Sequence, residues 1–371
     1  MNTTFPNDDP SNPSIGEALK ALLQRKQEYE NTLVRIGIIG ESGSGKSSMI
    51  NAISGKYIAE VGVTETTMEP LEFEQRGMNV TYVDLPGCGT ERWPAATYVK
   101  DLELLTKYDA FIFVNRGRVL EHDKALYQEL LKGGRTVFIA RNFFDAAVNG
   151  ELGKPEDRRR SEDELRIEIV SDFRKQFNHQ KARVFLTATT PGAPTYELPE
   201  LQEAIVDALN TISEFKAQRF TESAKAYTRE MLDRKADAAK KIVHMYATAA
   251  AATAAIPIPV IGVAADLVNV IAMNKGVARC FNVDIESNDP RLSKALGPVL
   301  NGLRNYVTRD GVIMLLKPLA GRFALKETSK FIPLFGTAIA AATAAGMIEL
   351  LGHQAIGDFR KAAEAVLASA V

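Results

Sequence analysis

Gly40-Glu41-Ser42-Gly43-Ser44-Gly45-Lys46-Ser47 decides the reading of this chain. The octet fits G-x-x-x-x-G-K-[ST], a loop whose glycines let backbone N–H groups curl toward phosphate. Context separates it from a chance glycine-rich turn. The apolar run Val34–Ile39 precedes it and the helical stretch Ser48–Ile53 follows it. A helix starting there adds its N-terminal dipole to the anion site. Lys46 is placed to reach the β- and γ-phosphates, and Ser47 to ligate magnesium. Gly40, Ser42, Gly43, Ser44, Gly45 and Ser48 complete the candidate phosphate-binding set.

Outward from that loop, short apolar runs alternate with helical patterns. The runs are Leu33–Gly40, Leu71–Glu74, Val80–Leu85, Ala110–Asn115, Thr136–Arg141 and Arg183–Ala188. Runs of this length, bounded by turn residues, are strand-like. Strands alternating with helices predict a mostly parallel six-stranded sheet covered on both faces. From Ser213 onward strand-like runs vanish and alanine becomes dense, as in Ala247–Ala255 and Ala338–Ala345. The expected division is a polar N-terminus over 1–14, a helix over 15–32, an α/β domain over 33–212 and an all-α domain over 213–371. Ile256-Pro257-Ile258-Pro259 and Phe331-Ile332-Pro333-Leu334 echo each other, and proline at such places ends one helix and starts the next.

Three further segments carry chemistry. Asp84-Leu85-Pro86-Gly87 ends the third run, which places Asp84 to hold magnesium and the Gly87 amide to sense a γ-phosphate. Between it and the phosphate loop lies Thr64-Glu65-Thr66-Thr67, where one of three threonines is expected to complete the magnesium shell only when γ-phosphate is present. Asn142-Phe143-Phe144-Asp145 follows the fifth run and approximates N-K-x-D. Asp145 would accept hydrogen bonds from the N1 and N2 edge of guanine, an edge that adenine lacks. Phe143 stands in place of lysine and could stack on the base. The competing reading makes Phe143 and Phe144 core and Asp145 a helix cap. Thr187 and Ala188, at the end of the sixth run, sit where a backbone amide would meet the guanine O6. Cys88 follows Gly87, where many enzymes of this kind carry a water-orienting glutamine. Hydrolysis is therefore expected to be slow in isolation or assisted by a partner.

Composition narrows the setting. The 371 residues carry a formal net charge of −1, which gives no global case for nucleic acid. The two cysteines form no disulfide framework and fit a reducing, cytoplasmic compartment. Met1–Ser14 lacks the apolar stretch of a signal peptide, and Asn2 in place of Gly speaks against myristoylation. Ile242–Ala265 and Phe331–Ile348 are free of Asp, Glu, Lys and Arg. They read either as buried helical core or as a membrane-docking surface.

Taken together these segments resemble the immunity-related GTPase family, in the branch with lysine in the phosphate loop. Val61-Gly62-Val63-Thr64-Glu65-Thr66-Thr67-Met68-Glu69 is similar to its first switch, which places the magnesium-sensing threonine at Thr67. Asp84-Leu85-Pro86-Gly87, with Trp93-Pro94 and Thr97-Tyr98, resembles its second switch, and the two proline-broken stretches resemble its helical domain. The resemblance implies a Ras-like GTPase domain, with a helical domain built from both chain ends. It implies GTP as substrate, GDP as product, magnesium as cofactor and assembly of two or more copies through their nucleotide faces. It assigns catalytic support to Glu41 and Glu65 beside Lys46 and Thr67, and it implies peripheral membrane contact in cell-autonomous defence. The departure at Phe143 stands against the pattern. A nucleotide-controlled membrane-docking scaffold that hydrolyses slowly or not at all is the alternative.

Overall fold

The computed structural model describes residues 15–61, 69–75, 77–254, 263–283, 299–324 and 333–369. Its centre is a six-stranded sheet. The strands are β1 (Val34–Ile39), β2 (Leu71–Gln75), β3 (Val80–Asp84), β4 (Ala110–Asn115), β5 (Thr136–Arg141) and β6 (Val184–Leu186). Their order is β2-β3-β1-β4-β5-β6, with β2 antiparallel to β3 and every other pair parallel. All six apolar runs of the sequence form strands.

Side-chain alternation along a strand sends successive residues to opposite faces, and β4 shows the consequence. Ala110, Ile112 and Val114 enter one core, and Phe111 and Phe113 enter the other. The first core is closed by α2 (Lys46–Ser54), α8 (Leu198–Ile212) and α9 (Glu214–Ser223), through Met49, Ile50, Ile53, Leu201, Ile205 and Phe220. The second is closed by α3 (Tyr98–Asp101), α4 (Leu104–Lys107), α5 (Glu121–Lys132) and α7 (Glu162–Gln176), with Tyr127, Leu130, Phe173 and Phe177 among its side chains. Helix α6 (Phe144–Leu152) follows β5 and anchors Phe144 in a smaller cluster with Leu165 and Leu186. At the edge, β2 exposes Glu72, and the Arg35 guanidinium lies 2.7 Å from its carboxylate. Charge on an edge strand discourages pairing with foreign strands.

The chain divides into two compact units, Thr32–Met231 and Met1–Asn31 with Leu232–Val371. This corrects the expected boundary after Ile212, since α9 belongs to the sheet. Phe220 is fully buried among strand residues, and Gln75 at the end of β2 donates a hydrogen bond to the Ser223 carbonyl at 3.1 Å. An amphipathic pattern shows that a helix buries one face and leaves open which neighbour receives it.

The other unit joins α1 (Ile15–Asn31) to helices from the C-terminal half. These are α10 (Arg229–Ala254), within which the chain passes from one unit to the other, α11 (Val263–Cys280), α12 (Arg309–Ala324) and α13 (Pro333–Ser369). Tyr246 donates to Glu30 at 2.9 Å, and Lys26 lies 4.7 Å from the centre of the Tyr246 ring. A Cβ on Gly352 would come within 2.5 Å of Val243, so α10 and α13 approach as closely as glycine permits. Ile242, Val243, Ala247 and Ala250 are buried, as the core reading of that alanine-rich stretch requires. Residues 255–262 and 325–332, which hold the whole of the first echo and the first half of the second, lie outside the described residues, and Pro333 opens α13. Among the described residues no helix is long and apolar enough to cross a membrane.

Phe220→Ala should lower the stability of the sheet unit by about 3–5 kcal/mol. The chain's one tryptophan, Trp93, packs against the second core of that unit and reports on it. Urea unfolding followed by its fluorescence should show an earlier midpoint. An unchanged midpoint would remove α9 from that core.

Candidate functional site: a phosphate loop joined to a base pocket

In open α/β sheets ligands bind beyond the carboxyl ends of the strands, where the strand order reverses. That point here is β1, flanked by β3 and β4, and the phosphate loop follows it. Gly40 has φ 150°, and a Cβ there would lie 2.0 Å from the Val114 carbonyl oxygen of β4. Gly45 has φ 91° and caps α2 with no side-chain hydrogen bond. The first N–H groups of α2 are therefore left without a side-chain acceptor, the condition for holding an anion. Glu41, Ser42 and Gly43 are exposed on the loop, Ser44 is buried, and Ser47 and Ser48 lie half-buried in the first turn of α2.

Lys46 is folded back across the loop. Its Nζ donates to the Gly40 carbonyl at 2.9 Å and the Glu41 carbonyl at 3.3 Å, and it lies 3.7 Å from the Asp84 carboxylate. The side chains of Lys46 and Asp84 are 10% and 7% exposed, so this is a charge pair in a poorly solvated place. The donor set suits magnesium. The Ser47 hydroxyl and the Asp84 carboxylate are hard oxygens, and among the described residues no group of three or more His, Cys, Asp or Glu forms a cage of its own. Magnesium is usually held by one or two such donors together with phosphate and water, and when bound it neutralises charge on the β- and γ-oxygens.

Beyond Asp84 the chain forms a braced loop. The buried Tyr98 hydroxyl donates to the Pro86 carbonyl at 2.5 Å, and Gly89 N–H donates to the Trp93 carbonyl at 2.9 Å. Gly87 is exposed at the loop's outer edge. Cys88 is buried, and burial, helped by Asp123 and Glu129, pushes its thiol up to about 11. It is neutral and apolar where a water-orienting side chain was sought. A cleft of about 480 Å³ opens between this loop and Gly40–Ser42. His122 and Asp123 of α5 also line it. No sequence motif flagged that pair, because what makes them notable is α5 lying beside the loop.

The candidate base-reading segment is tied directly to the phosphate loop. Asn142 is fully buried, and its Nδ2 donates to the Ser44 carbonyl at 3.2 Å and the Thr189 hydroxyl at 3.0 Å. Asn142 thus ties the segment to the phosphate loop even though Phe143 stands where the motif has lysine. Phe144 is core, as one reading proposed, but Phe143 is not. Phe143 is half-buried with φ 59°, its ring edge is close to Gly45, and the Arg116 guanidinium stands 5.1 Å from its ring centre. Arg116 is a second residue that pattern reading missed. Asp145 lies in the first turn of α6, and its Oδ1 is buried without a hydrogen-bond partner. It does not serve as the cap, which falls at Phe143. Thr187 and Ala188 are buried beside this turn, and the Thr187 carbonyl accepts from Phe144 N–H at 3.0 Å. Glu65 and Thr67 lie outside the described residues.

Comparison with known proteins gives three findings. The model of a family described as Interferon-inducible GTPase (IIGP) matches residues 13–305. Interferon-inducible GTPase 1 of Mus musculus is 26% identical over 270 residues, which is 70% of this chain and 59% of the mouse protein. Interferon-inducible GTPase 5 of Rattus norvegicus is 26% identical over 399 residues, 99% of this chain and 81% of the rat protein. The match to the mouse relative thus spans less than two thirds of its length. Among solved structures, the FeoB G-domain from Methanococcus jannaschii is 23% identical with a TM-score of 0.31, over 48% of this chain and 99% of that one.

The state of Cys88 has a direct consequence. A thiol raised from 9.0 to about 11 is protonated below that pH, so its reactivity should climb only as pH approaches 11. Alkylation by iodoacetamide, quantified on the Cys88 peptide by mass spectrometry, should remain slow through pH 9. Rapid labelling at pH 7 would contradict the buried neutral thiol.

Proposed function

This chain belongs to the interferon-inducible GTPase (IIGP) family, and from that premise we propose that it binds GTP with magnesium, hydrolyses it to GDP, and works fastest as a self-assembled pair. The observation that carries the proposal is the physical union of two half-sites. Asn142 hydrogen-bonds the phosphate loop at Ser44, and three residues further on Asp145 holds a buried carboxylate oxygen with no partner. A buried unpaired acceptor is costly. A ligand edge with two N–H donors, which guanine has and adenine lacks, would satisfy it. Phe143 supplies an aromatic face for the base.

Catalysis divides among residues by position. Lys46 is placed to stabilise charge on the β- and γ-phosphates once it leaves the loop carbonyls, and Ser47, Thr67 and Asp84 would hold magnesium. Glu41 is exposed on the phosphate loop, and the resemblance pairs it with Glu65 as support for catalysis between two nucleotide faces. The finer reading is a dynamin-like cycle of assembly and release, cytoplasmic, with peripheral membrane contact through the helical unit in a defence role. Flotation with liposomes, with and without GTP, tests the membrane part. Cys88 favours a second reading, a nucleotide-controlled scaffold that turns over slowly or not at all, because it cannot orient water.

Asp145→Asn should weaken GTP binding by about 1.5–3 kcal/mol, the value of a hydrogen bond to a charged group, and should let ATP compete better. Competition by ATP that stays as poor as before would remove Asp145 from base recognition.

Turnover per molecule, measured with saturating GTP, should rise with protein concentration. Glu41→Ala and Glu65→Ala should keep nucleotide affinity and lose that rise. Specific activity that is flat over a hundredfold dilution would refute assembly-driven catalysis. Absence of phosphate release at every concentration would favour the scaffold.

A further inference from the structure

One wall of the phosphate cleft has no assigned part in the reaction. Gly40–Ser42 form one side and Pro86–Thr90 the second, and His122 with Asp123, from the first turn of α5, form the third. The side chain of His122 is 34% exposed, and its Nε2 lies 3.7 Å from the Asp123 carboxylate. Asp123 is itself buried, and both Glu41 and Lys46 act on it electrostatically. The histidine pair is therefore within reach of the groups that would surround a γ-phosphate.

The ring has a defined orientation. A Cβ on Gly89 would meet its Cγ at 3.2 Å and its Nδ1 at 3.3 Å, so Nδ1 faces the loop that follows Asp84. An imidazole nitrogen that carries no proton is a lone-pair acceptor, and Nδ1 is the ring nitrogen beside Gly89 of this loop. The acceptor thus faces the loop from which a glutamine commonly orients water. The other polar groups of that wall are less suited. Cys88 is a buried neutral thiol. The Thr90 hydroxyl is used within its own turn, accepting from Trp93 N–H at 3.1 Å and donating to the Gly87 carbonyl at 3.4 Å.

We propose that His122 is a catalytic residue of this chain, whose Nδ1 accepts a hydrogen bond from the water that attacks the γ-phosphate, with Asp123 as its positioning partner. The inference rests on the GTPase reading above and adds to it a group acting within the same chain. In the step, the water oxygen forms the bond to the γ-phosphorus while the bond from that phosphorus to the β–γ bridging oxygen breaks. GDP departs with the electron pair, and the water proton passes to the phosphate product. His122 fixes where the water oxygen points.

The test compares His122→Ala, His122→Gln and His122→Asn in the full chain, with nucleotide affinity measured separately from single-turnover hydrolysis. Affinity for GTP and GDP should remain within about twofold of the parent, which also shows that the variants fold. Hydrolysis by His122→Ala should fall about 10²-fold, the lower end of the contribution from a positioned proton acceptor. His122→Asn should recover most of it, because its Oδ1 stands at the same reach from the backbone as Nδ1 and can accept the same hydrogen bond. His122→Gln, whose amide oxygen reaches to where Nε2 stands, should stay slow. A parent rate in His122→Ala overturns the proposal, as does a His122→Asn as slow as His122→Ala at normal affinity, since packing against Gly89 would then be the ring's whole role. A parent chain that binds GTP and releases no phosphate at any concentration refutes the hydrolytic reading and this inference with it. An active parent beside an unaffected His122→Ala refutes His122 alone.

Discussion

The left-handed backbone at Gly40 and Gly45 is the constraint on which the site depends. At each position a methyl group would collide with a neighbouring strand end, at 2.0 Å from the Val114 carbonyl and 2.3 Å from the Asn142 amide. At Gly40 no rotamer relieves the clash, because both atoms are set by the backbone, and at Gly45 relief would require the Asn142 amide to leave Ser44 and Thr189. The two contacts press the phosphate loop against the ends of β4 and β5. They bring its N–H groups, the α2 terminus and Asn142 into one place. Were the loop able to lift away, Lys46 and Asp84 would no longer share one poorly solvated space, and the candidate base-reading segment would lose its register with the phosphate loop.

That register bears on the proposed base motif, which departs from N-K-x-D at Phe143. A lysine at position 143 would have two tasks, laying its stem along the base and tying the base segment to the phosphate loop. Here the tasks are separated. Asn142 makes the tie through Ser44, and Phe143 offers an aromatic surface with Arg116 over its ring. A guanidinium on an aromatic face contributes roughly 0.5–1 kcal/mol at an exposed site. That is enough to bias the ring's position without fixing it. The rest of the positioning comes from the backbone.

Five of the strands were legible because each is a short apolar run closed by turn residues, and burial on both faces of a parallel sheet demands such runs, whereas β2, at the antiparallel edge, is largely exposed and alternates Leu71 and Phe73 with Glu72 and Glu74. The phosphate loop was legible because its chemistry is local, with glycines, lysine and serine lying within eight residues. What the sequence did not disclose is non-local. The assignment of α9 to the sheet unit depends on which core receives Phe220, and an amphipathic pattern is silent on that. His122, Asp123 and Arg116 carry no motif, and they matter because α5 and the end of β4 lie beside loops distant in sequence. Phe143 and Phe144 look equivalent as letters. The structure separates them completely, burying Phe144 with Leu186 and turning Phe143 toward Gly45 and Arg116.

That separation has an energetic origin that points back to function. A bulky residue at φ 59° is strained, at a cost on the order of 1–3 kcal/mol, and such a conformation persists only when its surroundings over-determine it. Both neighbours of Phe143 do so. On one side Asn142 N–H donates to the Asn115 carbonyl at 2.8 Å, with the side chain bound to Ser44 and Thr189. On the other, Phe144 N–H donates to the Thr187 carbonyl at 3.0 Å while its ring is fully buried. A relaxed backbone at Phe143 would break one of these anchors. The strain is therefore sustained by β4, β5 and the turn after β6 together. What it achieves is an aromatic ring held two residues before Asp145, whose Oδ1 has no hydrogen-bond partner. A turn serving only to start α6 would have no use for either feature. The proposed recognition of one flat base by its edge would need both.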